Sequence, residues 1–248
     1  LLLSLIVKSP KLKYLNSLLI LRLFYLGISQ ILSAQNIDSQ IAMNGMYIHD
    51  SISHLFKGVS ALIVACIFIY SNNYLNKIGV SNTEFCLISL FALLGQFIII
   101  SAYHLLLIYL GVELLSLALV SAVALRRDNN SSSEAAMKYF VLAALASGFM
   151  LYGMSMIYGA SGSLDLVTIS DQIASENTNN LVLVFGLVFL LAGIGFKFGA
   201  VPFHMWVPDV YQGSSYSTTL LLGSAPKIAA IALIIRVLIE GLPDLAIH

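Results

Sequence analysis

The chain has 248 residues, of which 59% are hydrophobic and 10% are charged, and its twelve Lys and Arg balance its twelve Asp and Glu. Soluble globular chains carry about 25% charged residues, so this composition excludes a soluble monomer and indicates an integral membrane protein. The sequence offers no basic face for nucleic acid, no Gly-rich phosphate loop and no metal-ligand motif.

The sequence begins LLLSLIV, inside an apolar segment and without a methionine, and we therefore expect a fragment of a longer chain. A helix needs about 20 residues to cross the hydrocarbon core of a membrane. Residues 1–248 are predicted to form one all-α, polytopic transmembrane helix bundle, with the tail of one span ending at Val7 and about seven full spans after it. A tight turn at SAYH separates the third span from the fourth. The predicted full spans are Tyr14–Ala34, Ile52–Tyr70, Phe85–Ala102, Leu105–Leu125, Ala135–Tyr158, Leu181–Pro202 and Ser217–Ile239.

The positive charges outside these spans are distributed unequally between the two sides. One set of alternate connections contains all six of them, and the opposite set contains none and carries acidic residues instead. Because connections on the cytoplasmic or matrix side hold the excess of Lys and Arg, the basic set is predicted to lie there, together with the connection that holds Trp206 and Asp209. The six are Lys8, Lys11, Lys13, Lys77, Arg126 and Arg127.

The other six positive residues fall within the spans or at their ends. A charge at the centre of a membrane helix costs about 2.5–3.5 kcal/mol, and such residues usually face the bundle interior or a water-filled path. We interpret Arg22 and Lys57 as residues whose long side chains reach the headgroups. Lys138 and Arg236 are open between that role and a functional one. The remaining two are Lys197 and Lys227.

Lys197, Lys227 and the single carboxylate Glu113 are the charges that the ends of spans do not explain. Burial disfavours the charged form of a lysine and a nearby carboxylate favours it, so a lysine held near Glu113 is a switchable proton site. The alternative is a buried salt bridge that only fixes helix register, although such pairs stabilise poorly.

The stretch FKFGAVPFHMW, residues 196–206, predicts an interrupted helix near Lys197–Pro202. A proline inside a membrane helix removes a hydrogen bond and frees carbonyl groups, which together with His204 would hold water between the basic side chains. Pro226 predicts a similar break beside Lys227. Alternatively, His204 is an interfacial anchor next to Trp206.

Three stretches carry a resemblance to a known family. YLGVELLSLALVSAVA, SSEAAMKYFVLAALASGFMLYGMSMIYGASGSLDL and GFKFGAVPFHMWVPDVYQG followed by APKIAAIALIIRVL closely resemble the antiporter-like subunit N family of NADH:quinone oxidoreductase, respiratory complex I, whose mitochondrial counterpart is subunit 2. The resemblance covers at least Phe85–Leu238.

The resemblance implies a proton-translocating subunit without its own redox cofactor. NADH, FMN, iron–sulfur clusters and quinone would be used on other subunits, and the partners would be other membrane and peripheral subunits of the complex and the lipid bilayer, with no nucleic acid. It further implies a bacterial inner membrane location, with the mitochondrial inner membrane as the alternative, and a proton relay through Glu113, Lys197, Lys227 and Lys138, which His204 would extend.

Two departures from the family pattern accompany this resemblance. The chain has SSYSTT where the family usually has a small residue and a proline after YQG, and the second inverted repeat of the family has no counterpart before His248. Two alternative functions stay open: a subunit of a multisubunit sodium/proton antiporter or membrane-bound hydrogenase, and a scaffold whose buried charges only fix assembly.

Overall fold

The computed structural model describes residues 12–35, 38–174 and 180–241. Within this part of the chain, seven helices are long and apolar enough to cross a membrane, which confirms the all-α, polytopic prediction. The predicted tail ending at Val7 lies outside the described residues. The first five spanning helices are α1 (Leu12–Ser33), α2 (Ser51–Lys77), α3 (Asn82–Ser101), α4 (Leu105–Val123) and α5 (Asn130–Ser161).

Polar residues set the ends of several of these helices. Asp50 begins α2 through a capping box, in which its carboxylate accepts a hydrogen bond from the Ser53 backbone N–H and the Ser53 hydroxyl accepts one from the Asp50 N–H. The side chain of His104 caps α4, so the SAYH turn separates α3 from α4 as predicted. Gly162, with φ of 69°, ends α5 in the left-handed region that glycine adopts without strain.

The second half of the described chain contains shorter helices. A surface helix, α6 (Leu166–Ala174), leads to the sixth spanning helix, α7 (Asn180–Phe198). The short helix α8 (Trp206–Gly213) follows, and the last span consists of α9 (Tyr216–Gly223), α10 (Ala225–Ile234) and a π-helical segment over Ile235–Gly241. Ser224, two residues before Pro226, separates α9 from α10, which confirms the break predicted beside Lys227.

The helix that carries Lys197 ends earlier than predicted. The sequence predicts a span to Pro202, but α7 ends at Phe198 because Gly199 turns the chain with a positive φ of 70°. The peptide bond between Val201 and Pro202 is cis. The interruption near Lys197–Pro202 is therefore confirmed, whereas a helix that continues to His204 is not formed.

A small β-hairpin, which the hydropathy pattern does not predict, connects α1 with α2. Its strands β1 (Gln40–Ala42) and β2 (Tyr47–His49) pair antiparallel, with Ile41 opposite Ile48. Tyr103 of the SAYH turn donates its backbone N–H to Met46 at 2.8 Å, and the N–H of Leu105 reaches the carbonyl of Leu164 at 2.9 Å. These bonds join the three connections of one membrane face into a single layer.

Close helix packing builds the interior. Helices α3 and α4 approach so closely that a Cβ atom added at Gly95 would lie 2.8 Å from the backbone nitrogen of Leu115. Small residues permit such approaches in membrane bundles, where packing replaces the hydrophobic driving force. The result is a rigid pair of helices, and the inward face of α4 carries Glu113.

Candidate functional site

Lys197, at the last turn of α7, reaches across to α4. Its ammonium Nζ donates to the hydroxyl of Ser116 at 2.5 Å, and that hydroxyl donates to the carbonyl of Val112 at 2.6 Å. Glu113 lies within electrostatic range of Lys197 but the two do not form a direct ion pair among the described contacts. The structure therefore brings the two predicted partners to one place, with a serine hydroxyl as the direct contact of the lysine.

The carboxylate of Glu113 is unusually poorly satisfied. Its Oε1 atom is buried and accepts no hydrogen bond, although the Tyr109 hydroxyl one turn earlier interacts with the same carboxylate. A buried oxygen without a donor costs free energy, so such atoms in natural proteins call for an explanation.

A cavity of about 20 Å³ adjoins Lys197 and Ser116. Tyr139 and Trp206 also line it, and so does Pro226 from the last span. A cavity of this size holds one water molecule when polar partners surround it. Lys197 thus borders a space with room for a single hydrogen-bonding bridge.

Lys227 enters the same region from α10. Its ammonium donates to the carbonyl of Lys197 at 3.2 Å and to the carbonyl of Phe198, and it lies 5.5 Å from the ring centroid of Trp206. The last carbonyls of a helix have no partner within it and carry partial negative charge. The side chain of Lys227 therefore caps the broken end of α7.

The remaining carbonyls at this break also have partners. Phe196 accepts from the indole N–H of Trp206 at 3.0 Å and from the backbone N–H of Gly199 at 3.0 Å. Protein donors thus satisfy the groups that the sequence led us to expect as water ligands. His204 lies in the exposed turn before α8, and no described side-chain hydrogen bond joins it to either lysine.

Lys138 lies apart from this group, on the exposed side of α5. Its ammonium forms ion pairs of 2.9 Å with Glu134 on its own helix and with Asp209 on α8. The structure therefore gives Lys138 two carboxylate partners in place of a headgroup contact, and it does not bring Lys138 into contact with Glu113 or Lys197.

Sequence reasoning missed several of these partners. Ser116 follows Glu113 by three residues, the spacing that puts two side chains on one helix face, and this signal identifies it. Arg236 is 1% exposed and donates to Asp50 at 2.6 Å, a buried ion pair that no spacing in the sequence indicates because 186 residues separate the partners. Lys57 is 5% exposed and bonds the Tyr47 hydroxyl at 2.8 Å, so the headgroup interpretation of this residue was wrong.

The arrangement places several groups that can bind a proton in one region of the bundle. Among the described residues no three His, Cys, Asp or Glu side chains cluster as metal ligands. A partly buried lysine on a hydroxyl, a carboxylate within range and a second lysine on a helix end form a short series of proton-binding groups. Fold and site together define a polytopic membrane protein of the antiporter type, built on interrupted helices.

Comparison with known proteins gives the family. Residues 102–243 match the family described as NADH:quinone oxidoreductase/Mrp antiporter, TM, and the chain belongs to this family. The chain is 50% identical over 235 residues to NADH-quinone oxidoreductase subunit N of Herminiimonas arsenicoxydans, an alignment that covers 92% of this chain and 48% of that relative. The resemblance to subunit N that the motifs indicate is thereby confirmed, and the chain spans about half the length of the curated relatives it matches.

Solved structures agree with this assignment. A chain of respiratory complex I from Thermus thermophilus, solved with bound aureothin, has a TM-score of 0.74 at 33% identity and covers 95% of this chain and 49% of its own. A chain of the Mrp complex from Dietzia sp. DQ12-45-1b has a TM-score of 0.67 at 18% identity, over 90% of this chain and 44% of its own. The second likeness shows the common fold alone.

Proposed function

We propose that this chain forms part of a proton-translocating membrane subunit of an NADH:quinone oxidoreductase in a bacterial inner membrane. The redox reaction, with NADH, FMN, iron–sulfur clusters and quinone, takes place on other subunits, and this subunit moves protons in response. Its partners are the membrane and peripheral subunits of that complex. The similarity to subunit N over most of the chain supports this assignment.

The observation that carries the proposal is the contact of Lys197 with Ser116 within range of Glu113. The charge state of a lysine depends on burial and on the distance of the nearest carboxylate, so a shift of α4 relative to α7 changes whether Lys197 holds a proton. Lys227, whose ammonium contacts the carbonyl of Lys197, is the next group in the series. Lys138 and His204, which the sequence also assigns to the relay, have no described contact with Glu113, Lys197 or Lys227, so their part in it stays a prediction.

The test uses the complete reading frame in the assembled complex. Lys197→Ala and Lys227→Ala are expected to reduce proton pumping in membrane vesicles while the complex remains assembled and oxidises NADH. Normal pumping and quinone reduction in the assembled double variant would favour the scaffold function. A dependence of transport on sodium instead of protons would favour the antiporter function.

Glu113→Gln provides a second test, because it keeps the shape of the side chain and removes its charge. We expect reduced pumping by the assembled complex, since Lys197 then lacks the carboxylate that favours its charged form. Unchanged coupling in this variant would show that the two residues have a structural relation only.

A further inference from the structure

Ser116 is the direct contact of Lys197 on the helix that carries Glu113, and neither the motif nor the family resemblance assigns it a role. It is 4% exposed, its Oγ accepts from Lys197 at 2.5 Å, and its own proton is directed to the carbonyl of Val112 at 2.6 Å. The bond to Val112 fixes the hydroxyl so that its lone pairs face Lys197.

The choice of a hydroxyl as partner has chemical consequences. A carboxylate partner would hold the charged lysine in a strong charge-assisted bond, and most of that strength would be lost when the lysine becomes a neutral amine. The Ser116 hydroxyl, whose own proton is donated to Val112, accepts from the ammonium and can equally accept from an N–H of the neutral amine, so it remains a partner in both states. Lys197 therefore keeps one position whether or not it carries a proton.

The position of Glu113 supports the same interpretation. Glu113 precedes Ser116 by three residues, and its Oε1 atom is buried without a hydrogen bond. This carboxylate lies within electrostatic range of the Lys197 ammonium and is a charged acceptor that could compete with the hydroxyl. The contact with Ser116 thus keeps the lysine and the carboxylate from forming a permanent ion pair.

We propose that Ser116 is a positioning residue for proton transfer, which holds Lys197 by a hydroxyl in both of its charge states and apart from direct pairing with Glu113. The inference rests on the proposed function, because it assigns a role within the same relay. It requires the hydroxyl itself and not merely a side chain of suitable volume.

A pair of isosteric variants separates the hydroxyl from the volume. Ser116→Thr keeps the hydroxyl and Ser116→Val has the same shape without it. In assembled complexes in vesicles, the rate of proton pumping by Ser116→Thr is expected to be within about twofold of the wild-type rate. The rate for Ser116→Val is expected to be about tenfold lower, which corresponds to the loss of one hydrogen bond to a charged group. Ser116→Ala serves in the same comparison should Ser116→Val fail to assemble.

Ser121→Ala is the matched control on the same helix. The Ser121 hydroxyl also bonds a backbone carbonyl one turn back, that of Leu117 at 2.8 Å, but it contacts no lysine among the described hydrogen bonds. It is expected to leave pumping and its pH dependence unchanged, whereas Ser116→Val displaces the pH profile of pumping because the charge balance at Lys197 changes. A structural role for Ser116 would not displace that profile.

The outcomes distinguish a failure of the proposed role of Ser116 from a failure of the proposed proton-translocating function. Equal pumping by Ser116→Thr and Ser116→Val, in complexes where Lys197→Ala abolishes it, would overturn the role of the hydroxyl and leave the relay intact. Full pumping by Lys197→Ala would instead overturn the proposed function. Loss in Ser116→Val and Ser116→Ala with retention in Ser116→Thr supports the inference.

Discussion

At the scale of single residues, the two lysines of the proposed relay are held by different chemistry. Lys197 contacts a hydroxyl of α4, and Lys227 contacts the carbonyls that end α7. A buried cation is costly, but an ammonium at a helix C-terminus offsets part of that cost because it satisfies carbonyls that have no other donor. Lys227 consequently has a structural role in addition to the proposed functional one, and Lys197 does not.

This difference predicts that the two lysines contribute unequally to the free energy of unfolding. Lys227→Met keeps the aliphatic stem but removes the donor, so the carbonyls of Lys197 and Phe198 lose a partner. We expect the free energy of unfolding to fall by about 1–3 kcal/mol, which is the cost of leaving buried acceptors unsatisfied. The measurement is a lower melting temperature of the purified protein.

Lys197→Met is the matched variant for this comparison. It removes a costly charge and frees the acceptor lone pairs of Ser116, whose proton is still donated to Val112, but it also takes a nearby positive charge from Glu113. Because these effects offset one another, we expect a smaller decrease in melting temperature than in Lys227→Met. A larger loss in Lys197→Met than in Lys227→Met would contradict the capping role of Lys227.

At the scale of elements, the position of α8 depends on a close contact with the beginning of α5. The Ser132 hydroxyl donates to the carbonyl of Gly213 at 2.7 Å, and the exposed pair of Lys138 with Asp209 joins the same two helices. Helix α8 follows the break and carries Trp206, which bonds the carbonyl of Phe196. Its docking on α5 therefore fixes the geometry around Lys227.

Gly213→Ala tests this docking. A Cβ atom at Gly213 would lie 2.4 Å from the Cβ of Ala135 and 2.7 Å from the carbonyl oxygen of Ser131, so α8 has to move away from α5. Overpacking of this kind costs about 1–3 kcal/mol, and we expect a lower melting temperature with reduced pumping.

Gly148→Ala in α5 is the control, because nothing lies within 4 Å of a Cβ atom at that position. It is expected to be neutral or slightly stabilising, as alanine favours a helix over glycine. Asp209→Asn, which breaks only the exposed ion pair, is expected to have little effect on melting. Equal losses in all three variants would argue against a specific packing contact.

Hydropathy predicts the elements of this fold better than it predicts their ends and contacts. The spans and the SAYH turn follow from apolar runs of membrane length, because each helix must satisfy its own backbone in lipid. The end of α7 at Phe198 depends on the positive φ of Gly199, and Pro202 alone indicates it only within four residues. Contacts such as Ser116 with Lys197 and Asp50 with Arg236 join positions far apart in the chain, which no local pattern encodes.

At the scale of the whole molecule, the last span is held by polar contacts at two points along its axis. Lys227 binds the end of α7 toward the face that carries α8, and Arg236 binds Asp50 toward the face that carries the β-hairpin. Arg236 also donates through Nε to the carbonyl of Ile100 at the end of α3, at 3.4 Å. These contacts hold the span that carries Lys227 in position relative to α3 and α7. Through Asp50, which follows β2, they also join it to the β-hairpin.

The stability that the ion pair of Asp50 with Arg236 contributes depends on pH, and the pKa of Asp50 gives the direction of this dependence. Burial alone would raise the pKa of the Asp50 carboxyl, but the hydrogen bond and the charge of Arg236, with the bonds from Ser53, outweigh it and hold that pKa below its ordinary value. A carboxyl whose pKa is lower in the folded state contributes stability that is present above its unfolded pKa, about 3.9, and is lost as the pH falls through the folded pKa.

Asp50→Asn removes the charge and leaves Arg236 buried with a weaker partner. We expect a lower melting temperature at pH 7, corresponding to at most about 3–5 kcal/mol, the usual cost of breaking a buried pair. The difference between wild type and variant should stay constant from pH 7 to about pH 5 and narrow only below about pH 4, as the wild-type carboxyl becomes protonated. A difference that narrows near pH 6 would point instead to the adjacent His49, whose pKa is lowered by burial and by the charge of Lys57, and His49→Gln in both backgrounds separates the two residues.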